Sequence, residues 1–146
     1  DIEAKIRGDL KVDQHHTVED IGISLGAAIK GALGKKLGIK RAGFFIYAMD
    51  ESLAMVAIDL SGRPYLKFDA KFKSEKVNDF YTGLLEDFFQ GFVSSLAVTL
   101  HIKVYYGRSD HHKIEAIFKA FGRSLKKACE IDRRLRQKLP STKGAL

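Results

Sequence analysis

A repeated cluster of histidine and glutamate constrains the fold of this chain more than any other feature of its 146 residues. Residues 14–19 read Gln-His-His-Thr-Val-Glu, and residues 110–115, lying 96 positions later, read Asp-His-His-Lys-Ile-Glu. The same offset aligns four further pairs of identical residues, which are Ile21 with Ile117, Gly26 with Gly122, Lys30 with Lys126, and Ala32 with Ala128. A duplicated strand–helix unit explains this agreement, and it predicts two halves related by pseudo-symmetry.

The spacing of apolar residues predicts an α+β chain in which a mixed sheet carries helices on one face. Strands are expected at 2–12, 43–49, 53–60, 65–72 and 99–106, and helices at 16–33, 81–97 and 112–130. Each cluster would then follow a strand and open a helix. The chain is expected to form a single domain over 1–146. Because its first strand is already under way at Asp1, we expect the sequence to lack an N-terminal portion of the fold.

Composition excludes several classes of protein. Hydrophobic residues make up 45% of the chain and charged residues 29%, as in globular rather than disordered proteins. No apolar run approaches the roughly 20 residues that span a bilayer, so no membrane partner is expected. Cys129 is the only cysteine, which fits a reducing cytoplasmic compartment. The net charge of +7 comes partly from residues 133–138, which are typical of a solvated segment. A site for an anionic small molecule or a subunit contact is the alternative, and no nucleic-acid partner is expected.

The two clusters contain the side chains that bind divalent transition metals. Residues three and four apart share one face of a helix, so both histidines of a cluster are expected to reach toward its glutamate. Adjacent helical residues also diverge by about 100°, so the two histidines are expected to serve two different sites. Imidazole and carboxylate donors without cysteine favour Mn or Fe. Each cluster offers three donors, so a closed site must recruit others from elsewhere in the chain or from another subunit. His101 is a weaker candidate, whose alternative is an ordinary hydrogen-bonded histidine beside the sheet.

Other polar residues are less specific when each is taken alone. Arg41, Arg63 and the run 141–143 would each be solvated in isolation, but together they could bind a phosphate group. The pair Asp50 and Glu51 is equally typical of a simple turn between two strands.

The motifs together resemble the imidazoleglycerol-phosphate dehydratase family. The segments that carry the resemblance are 15–20, 49–51, 59–65, 100–102, 111–121 and 141–144. The resemblance implies dehydration of imidazole glycerol phosphate to imidazole acetol phosphate in histidine biosynthesis. It also implies two Mn²⁺ ions per site, with the substrate imidazole bound as imidazolate. The implied fold is a duplicated α+β half-domain, and the implied assembly has 24 chains, built from trimers, with sites between subunits.

The resemblance also assigns roles to individual residues. Metal ligands are expected at His15, His16, Glu19, His111, His112 and Glu115. Substrate-binding groups, mainly for its phosphate, are expected at Arg41, Arg63, Lys119, Ser141, Thr142 and Lys143. Catalytic roles are expected for Glu19, Glu115 and His111, and Glu115 is one candidate for the proton transfer.

Two departures from the family pattern affect the expected site. The family has an N-terminal Asp-His-Met motif, whose histidine binds metal, and an upstream glutamate near the substrate, and this sequence contains neither. Asp87 stands where the family often has histidine, so we expect its carboxylate to serve as the ligand unless it is only solvated. The rival hypothesis is a non-catalytic, metal-stabilised binding module, for instance a basic nucleic-acid binder on a similar scaffold.

Overall fold

The computed structural model describes residues 3–135 and 138–141. Its elements, in chain order, are α1 (His15–Leu33), β1 (Ala42–Met49), β2 (Ser52–Asp59), β3 (Tyr65–Asp69), β4 (Lys76–Val77), β5 (Phe80–Tyr81), α2 (Leu84–Leu96), β6 (Thr99–Tyr106) and α3 (Asp110–Cys129). A short 3₁₀ helix follows at Arg133–Leu135.

The main sheet has four strands in the order β1-β2-β6-β3. β1, β2 and β6 pair antiparallel, whereas β3 runs parallel to β6, so the predicted mixed sheet is confirmed. β2 alternates between buried and half-buried side chains, and Val56 and Ile58 point into the core from one face. This alternation follows from the two-residue period of a strand with one covered face.

The helices lie on one side of the sheet, as predicted. α2 and α3 supply the aromatic centre of the core, where Phe92 packs edge-on against Phe121. α1 packs against α2, and glycines in α1 allow the two backbones to approach closely. A Cβ atom built on Gly26 would lie 2.8 Å from the Phe92 carbonyl oxygen, so a larger residue would push the helices apart.

The expected strand over residues 2–12 is wrong for its described part, residues 3–12. These residues form no strand, and the apolar side chains Ile6, Leu10 and Val12 are 55%, 65% and 72% exposed. Alternating polarity is not sufficient for a strand, because its backbone groups also need a neighbouring strand as a partner. The first cluster therefore does not follow a strand here, whereas the second follows β6.

Several element boundaries also differ from the prediction. The helix expected from residue 81 begins at Leu84, because β4 and β5 form a small hairpin just before it. α3 begins two residues earlier than expected, at Asp110. The Ser109 hydroxyl accepts the backbone N–H of His112 and so caps this helix start. β3 ends at Asp69, short of the predicted limit at residue 72.

Among the described residues, none of the helices is both long and apolar enough to cross a membrane.

Candidate functional site

The first histidine of each cluster faces its glutamate across one helical turn. His15 Nε2 lies 3.8 Å from Glu19 Oε2 at the start of α1. His111 Nε2 lies 3.6 Å from Glu115 Oε2 at the start of α3. Asp87, near the start of α2, approaches His15 Nδ1 to 3.6 Å. The first cluster and Asp87 therefore present an imidazole between two carboxylates.

The second histidine of each cluster contacts a different carboxylate instead of the cluster's own glutamate. His16 Nδ1 lies 3.2 Å from Asp13 Oδ1, and His112 Nδ1 lies 2.7 Å from Glu51 Oε2. The expectation that both histidines reach toward one glutamate is therefore wrong, whereas the expected divergence of adjacent helical residues is observed. The rings of a pair are 5.8 Å apart in the first cluster and 6.0 Å in the second, with interplanar angles of 69° and 65°. The two clusters thus share one local geometry.

Glu51 makes several polar contacts at the candidate site, although the sequence assigned it no functional role. Its Oε1 accepts the backbone N–H groups of Arg108 at 3.0 Å and Ser109 at 2.6 Å, while Oε2 binds His112. The hydrogen bond from His112 is the main cause that lowers the pKa of Glu51 to about 2. The same bond raises the pKa of His112 above its ordinary value. The sequence signals for this residue were its place in an acidic turn and in the 49–51 motif, and neither of them predicts the contact with His112.

Glu115 and Lys119 form an ion pair on α3, with 2.7 Å between Oε1 and Nζ. The hydrogen bond from Lys119 lowers the pKa of Glu115 and raises that of Lys119. Lys119 Nζ also lies 5.3 Å from the centre of the Tyr47 ring on β1. Glu115 is therefore an ionised carboxylate at neutral pH, with a cation on one side and His111 on the other.

Arg41 links the end of β2 to the backbone near the C-terminus. Its Nε and Nη2 donate to the two carboxylate oxygens of Asp59, at 2.7 and 3.0 Å, and its Nη1 donates to the Pro140 carbonyl at 3.0 Å. This pairing raises the pKa of Arg41. Ser141 follows directly, so Arg41 fixes the backbone that carries it. Thr142 and Lys143 lie outside the described residues.

Arg63 lies in the exposed turn between β2 and β3, close to Arg41. The Leu60 N–H donates to the Arg41 carbonyl, and the backbone N–H of Arg63 donates to the Ser61 hydroxyl. Within the described residues, the Arg63 guanidinium has no side-chain partner, so it can bind an anion.

The second cluster and the predicted phosphate-binding residues Arg41, Arg63 and Ser141 lie at opposite ends of the β1–β2 hairpin. Ala42 pairs with Asp59 at one end, and Met49 pairs with Ser52 at the other. At about 3.3 Å per residue, β1 separates these ends by about 23 Å. We call the end with Arg41, Arg63 and Ser141 the arginine end, and the end with Glu51 and the start of α3 the turn end. The described residues of one chain do not bring these two groups together.

His101 lies apart from both clusters. It is on the exposed face of the sheet, and its ring centre is 5.6 Å from that of Tyr65. Across the part of the chain that the structure describes, no three histidine, cysteine or acidic side chains converge as a group able to hold a metal ion. Imidazole and carboxylate donors suit Mn²⁺ chemically, but the described residues of this chain do not complete a coordination sphere from them.

Comparison with known proteins identifies the family. A family model described as imidazoleglycerol-phosphate dehydratase matches residues 1–125. The chain belongs to the imidazoleglycerol-phosphate dehydratase family. It is 57% identical to the imidazoleglycerol-phosphate dehydratase of Koribacter versatilis, over 100% of this chain and 75% of that protein. It is 53% identical to that of Acetivibrio thermocellus, over 100% of this chain and 74% of that protein.

Solved structures of the family have the same fold. The crystal structure of imidazoleglycerol-phosphate dehydratase from Staphylococcus aureus matches with a TM-score of 0.81 and 43% identity, over 88% of this chain and 72% of that chain. The crystal structure of the enzyme from Pyrococcus furiosus matches with a TM-score of 0.83 and 37% identity, over 96% of this chain and 74% of that chain. The resemblance drawn from the motifs is therefore confirmed, as is the α+β fold. This family consists of hydro-lyases of histidine biosynthesis.

Proposed function

We propose that this chain dehydrates D-erythro-imidazole glycerol phosphate to imidazole acetol phosphate, with Mn²⁺ as its cofactor. Family membership supports the reaction. The arrangement at the start of α3 carries the proposal, because His111 and Lys119 flank the ionised Glu115 there. We expect the reaction to take place in the cytoplasm, where the one cysteine of the chain would stay reduced.

The donors for two Mn²⁺ ions per site would come from both clusters and from Asp87. They are His15, His16, Glu19, Asp87, His111, His112 and Glu115. Bound Mn²⁺ would supply Lewis-acid stabilisation of negative charge on the substrate's imidazole ring. Because the described residues form no closed set of donors, other chains or other residues must complete the spheres.

The dehydration needs a base for a proton on carbon and an acid for a leaving hydroxyl. The C–H electron pair becomes part of a C=C bond while the neighbouring C–O bond breaks, and the hydroxyl leaves as water. Glu115 can accept the carbon proton because its carboxylate is ionised at neutral pH. His111, 3.6 Å away, can take that proton from Glu115 and deliver it to the leaving hydroxyl, and Glu19 faces His15 in the same way. The enol that forms then tautomerises to the ketone.

The substrate phosphate would bind at the arginine end. Arg63 is the available cation there, and Ser141 can donate a hydroxyl hydrogen bond. Arg41 is already bound to Asp59 and Pro140, so its role would be to hold the Ser141 backbone toward the phosphate. Thr142 and Lys143 are proposed to join them, and Lys119 would reach the substrate from the turn end.

The separation of the two ends supports a site shared between subunits. β1 extends about 23 Å from the hairpin end near Arg63 to the hairpin end near the start of α3. One small phosphate ester is too short to bridge that distance. We propose that the arginine end of one chain meets the turn end of another. The closed assembly of 24 chains built from trimers that the resemblance implies would supply such contacts.

The test is a direct assay of imidazole acetol phosphate formation with Mn²⁺ and then with a chelator. The wild type should turn over only with the metal, and Glu115→Gln should lose most of the activity. Glu75→Gln makes the same charge change at an exposed residue and should keep it. Product formation that survives both the chelator and Glu115→Gln would contradict the proposed function.

A further inference from the structure

We propose that Glu51 is a positioning residue that holds the ring proton of His112 on Nδ1 and so leaves Nε2 free to bind the metal. This inference rests on the proposed function for the part that concerns metal. The contact itself is independent of any ligand, since it joins the turn between β1 and β2 to the start of α3 within one chain.

Both oxygens of the Glu51 carboxylate are held by donors. Oε2 lies 2.7 Å from His112 Nδ1, and Oε1 accepts two backbone N–H groups, from Arg108 and Ser109. An ionised carboxylate can only accept hydrogen bonds, so the nitrogen facing it must carry the proton. In a neutral imidazole the other nitrogen then has a lone pair, which is the form that binds a metal ion.

The surrounding backbone fixes Glu51 in this place. Asp50 has a φ of 47°, which closes the turn tightly, and Ser52 beyond it is buried. Gly107, at the end of β6, packs against this turn so closely that a Cβ atom on it would lie 3.0 Å from the Ser52 Cβ. The turn and the loop leading into α3 are therefore in direct contact, and Glu51 bridges them.

The first cluster contains a matching contact that supports the same role. Asp13 Oδ1 accepts the backbone N–H of His15 at 2.8 Å and lies 3.2 Å from His16 Nδ1. Asp13 corresponds in the repeat to Ser109, which only caps its helix and carries no charge. In the second cluster the carboxylate comes instead from Glu51, another part of the chain. The second histidine of each pair is thus held through Nδ1 by an acidic residue that also binds backbone N–H groups at the helix start.

The isosteric variant Glu51→Gln gives a sharp test. The glutamine oxygen would stay with the two backbone N–H groups, and its NH₂ group would face His112 Nδ1. That group can only donate, so the ring proton should move to Nε2. Long-range ¹H–¹⁵N NMR spectra of the metal-free protein at alkaline pH report which nitrogen carries the proton. Mn²⁺ affinity, measured by electron paramagnetic resonance, should fall by about 10- to 100-fold.

Glu75→Gln is the matched control, because it removes the same charge from an exposed residue and should change neither readout. In the wild type, a proton on Nε2 of neutral His112 would overturn the inference whether or not the variant folds. The inference would also be overturned if the His112 tautomer changes in Glu51→Gln but Mn²⁺ binding is not weakened. The same holds if a folded Glu51→Gln protein keeps the wild-type tautomer. A wild type that does not bind Mn²⁺ overturns both proposals. A wild type that binds Mn²⁺ without dehydrating the substrate overturns the proposed function alone.

Discussion

Lys119 Nζ lies 2.7 Å from Glu115 Oε1, one helical turn further along α3. This pair keeps the proposed base ionised, since the lysine lowers the pKa of the Glu115 carboxyl. Any stability that the pair adds is present above pH 4.5, the ordinary pKa of glutamate, and is lost as the pH falls through the lower folded-state pKa.

Replacing Lys119 should therefore raise the pKa of Glu115 toward 4.5. The change is Lys119→Gln, and the measurement is an NMR titration of the Glu115 carboxyl carbon in metal-free protein. Lys126→Gln removes the same charge from an exposed position later in α3 and should leave that pKa where it is. Equal shifts in the two variants would mean that net charge, not this contact, sets the pKa.

Loss of one cluster histidine should remove bound metal. His111→Ala deletes a predicted ligand whose side chain is 64% exposed, so the fold should be little affected. Elemental analysis after dialysis should show clearly less manganese per chain than in the wild type. His101→Ala removes a histidine on the exposed sheet face and should keep the full amount. If His111→Ala keeps it too, His111 is not a ligand.

The buried ion pair at the start of α3 should dominate the stability of this region. Asp110 and Lys113 are each 5% exposed, with 2.8 Å between their charged atoms, and Asp110 also accepts two backbone N–H groups of residues 73–74. Asp110→Asn leaves the buried lysine without an opposite charge, although its Nζ still donates to the Lys71 carbonyl, and this should cost about 3–5 kcal/mol in the free energy of unfolding by urea.

The exposed pair between Asp69 and Lys103 provides the comparison. Asp69→Asn should cost less than about 1 kcal/mol, because water screens both charges. Adding Lys113→Met to Asp110→Asn should restore part of the lost stability, since it removes the unpaired buried charge. If Asp110→Asn and Asp69→Asn lower the free energy of unfolding by similar amounts, burial does not determine how much these ion pairs contribute to stability.

Arg63→Ala should weaken substrate binding without removing metal. A charge-assisted hydrogen bond to phosphate is worth about 1.5–3 kcal/mol, which corresponds to a rise in KM of about 10- to 150-fold. Manganese content should stay at the wild-type value. Lys67→Ala, which removes an exposed cation from β3, should leave KM unchanged. An unchanged KM in Arg63→Ala would remove this residue from the phosphate site.

The sequence predicted those elements of the fold that are encoded by a pattern of residues within one short segment. Apolar spacing located α1 and α3, and the motifs located both histidine pairs. The strand over residues 2–12 failed because pairing depends on a neighbour that a local pattern does not specify. The β4–β5 hairpin was missed because two residues per strand are too few for a periodic signal.

Contacts across the chain were the least predictable part of the candidate site. Glu51 meets His112 only because β2 pairs with β6 in a register that brings the turn beside the start of α3. No spacing in the sequence encodes that register. Asp87 came from the family resemblance rather than from any pattern, and the structure brings it to His15 through the packing of α1 on α2. The separation of the arginine end from the turn end likewise appears only once the hairpin is built.

The shared site is tested most directly by mixing two variants that are each impaired in a different end of the site. Arg63→Ala damages only the arginine end, and Glu115→Gln damages only the turn end. The two proteins are dissociated together with a chelator, mixed in equal amounts and reassembled with Mn²⁺, and light scattering checks the assembly. Activity is measured well below the KM of Arg63→Ala.

If each site takes one end from each of two chains, about a quarter of the sites in a random assembly have both ends intact. The mixture should then recover roughly that fraction of wild-type activity, far above either variant alone. Mixed assemblies of the right size whose activity only averages that of the separate variants would contradict a site shared between chains.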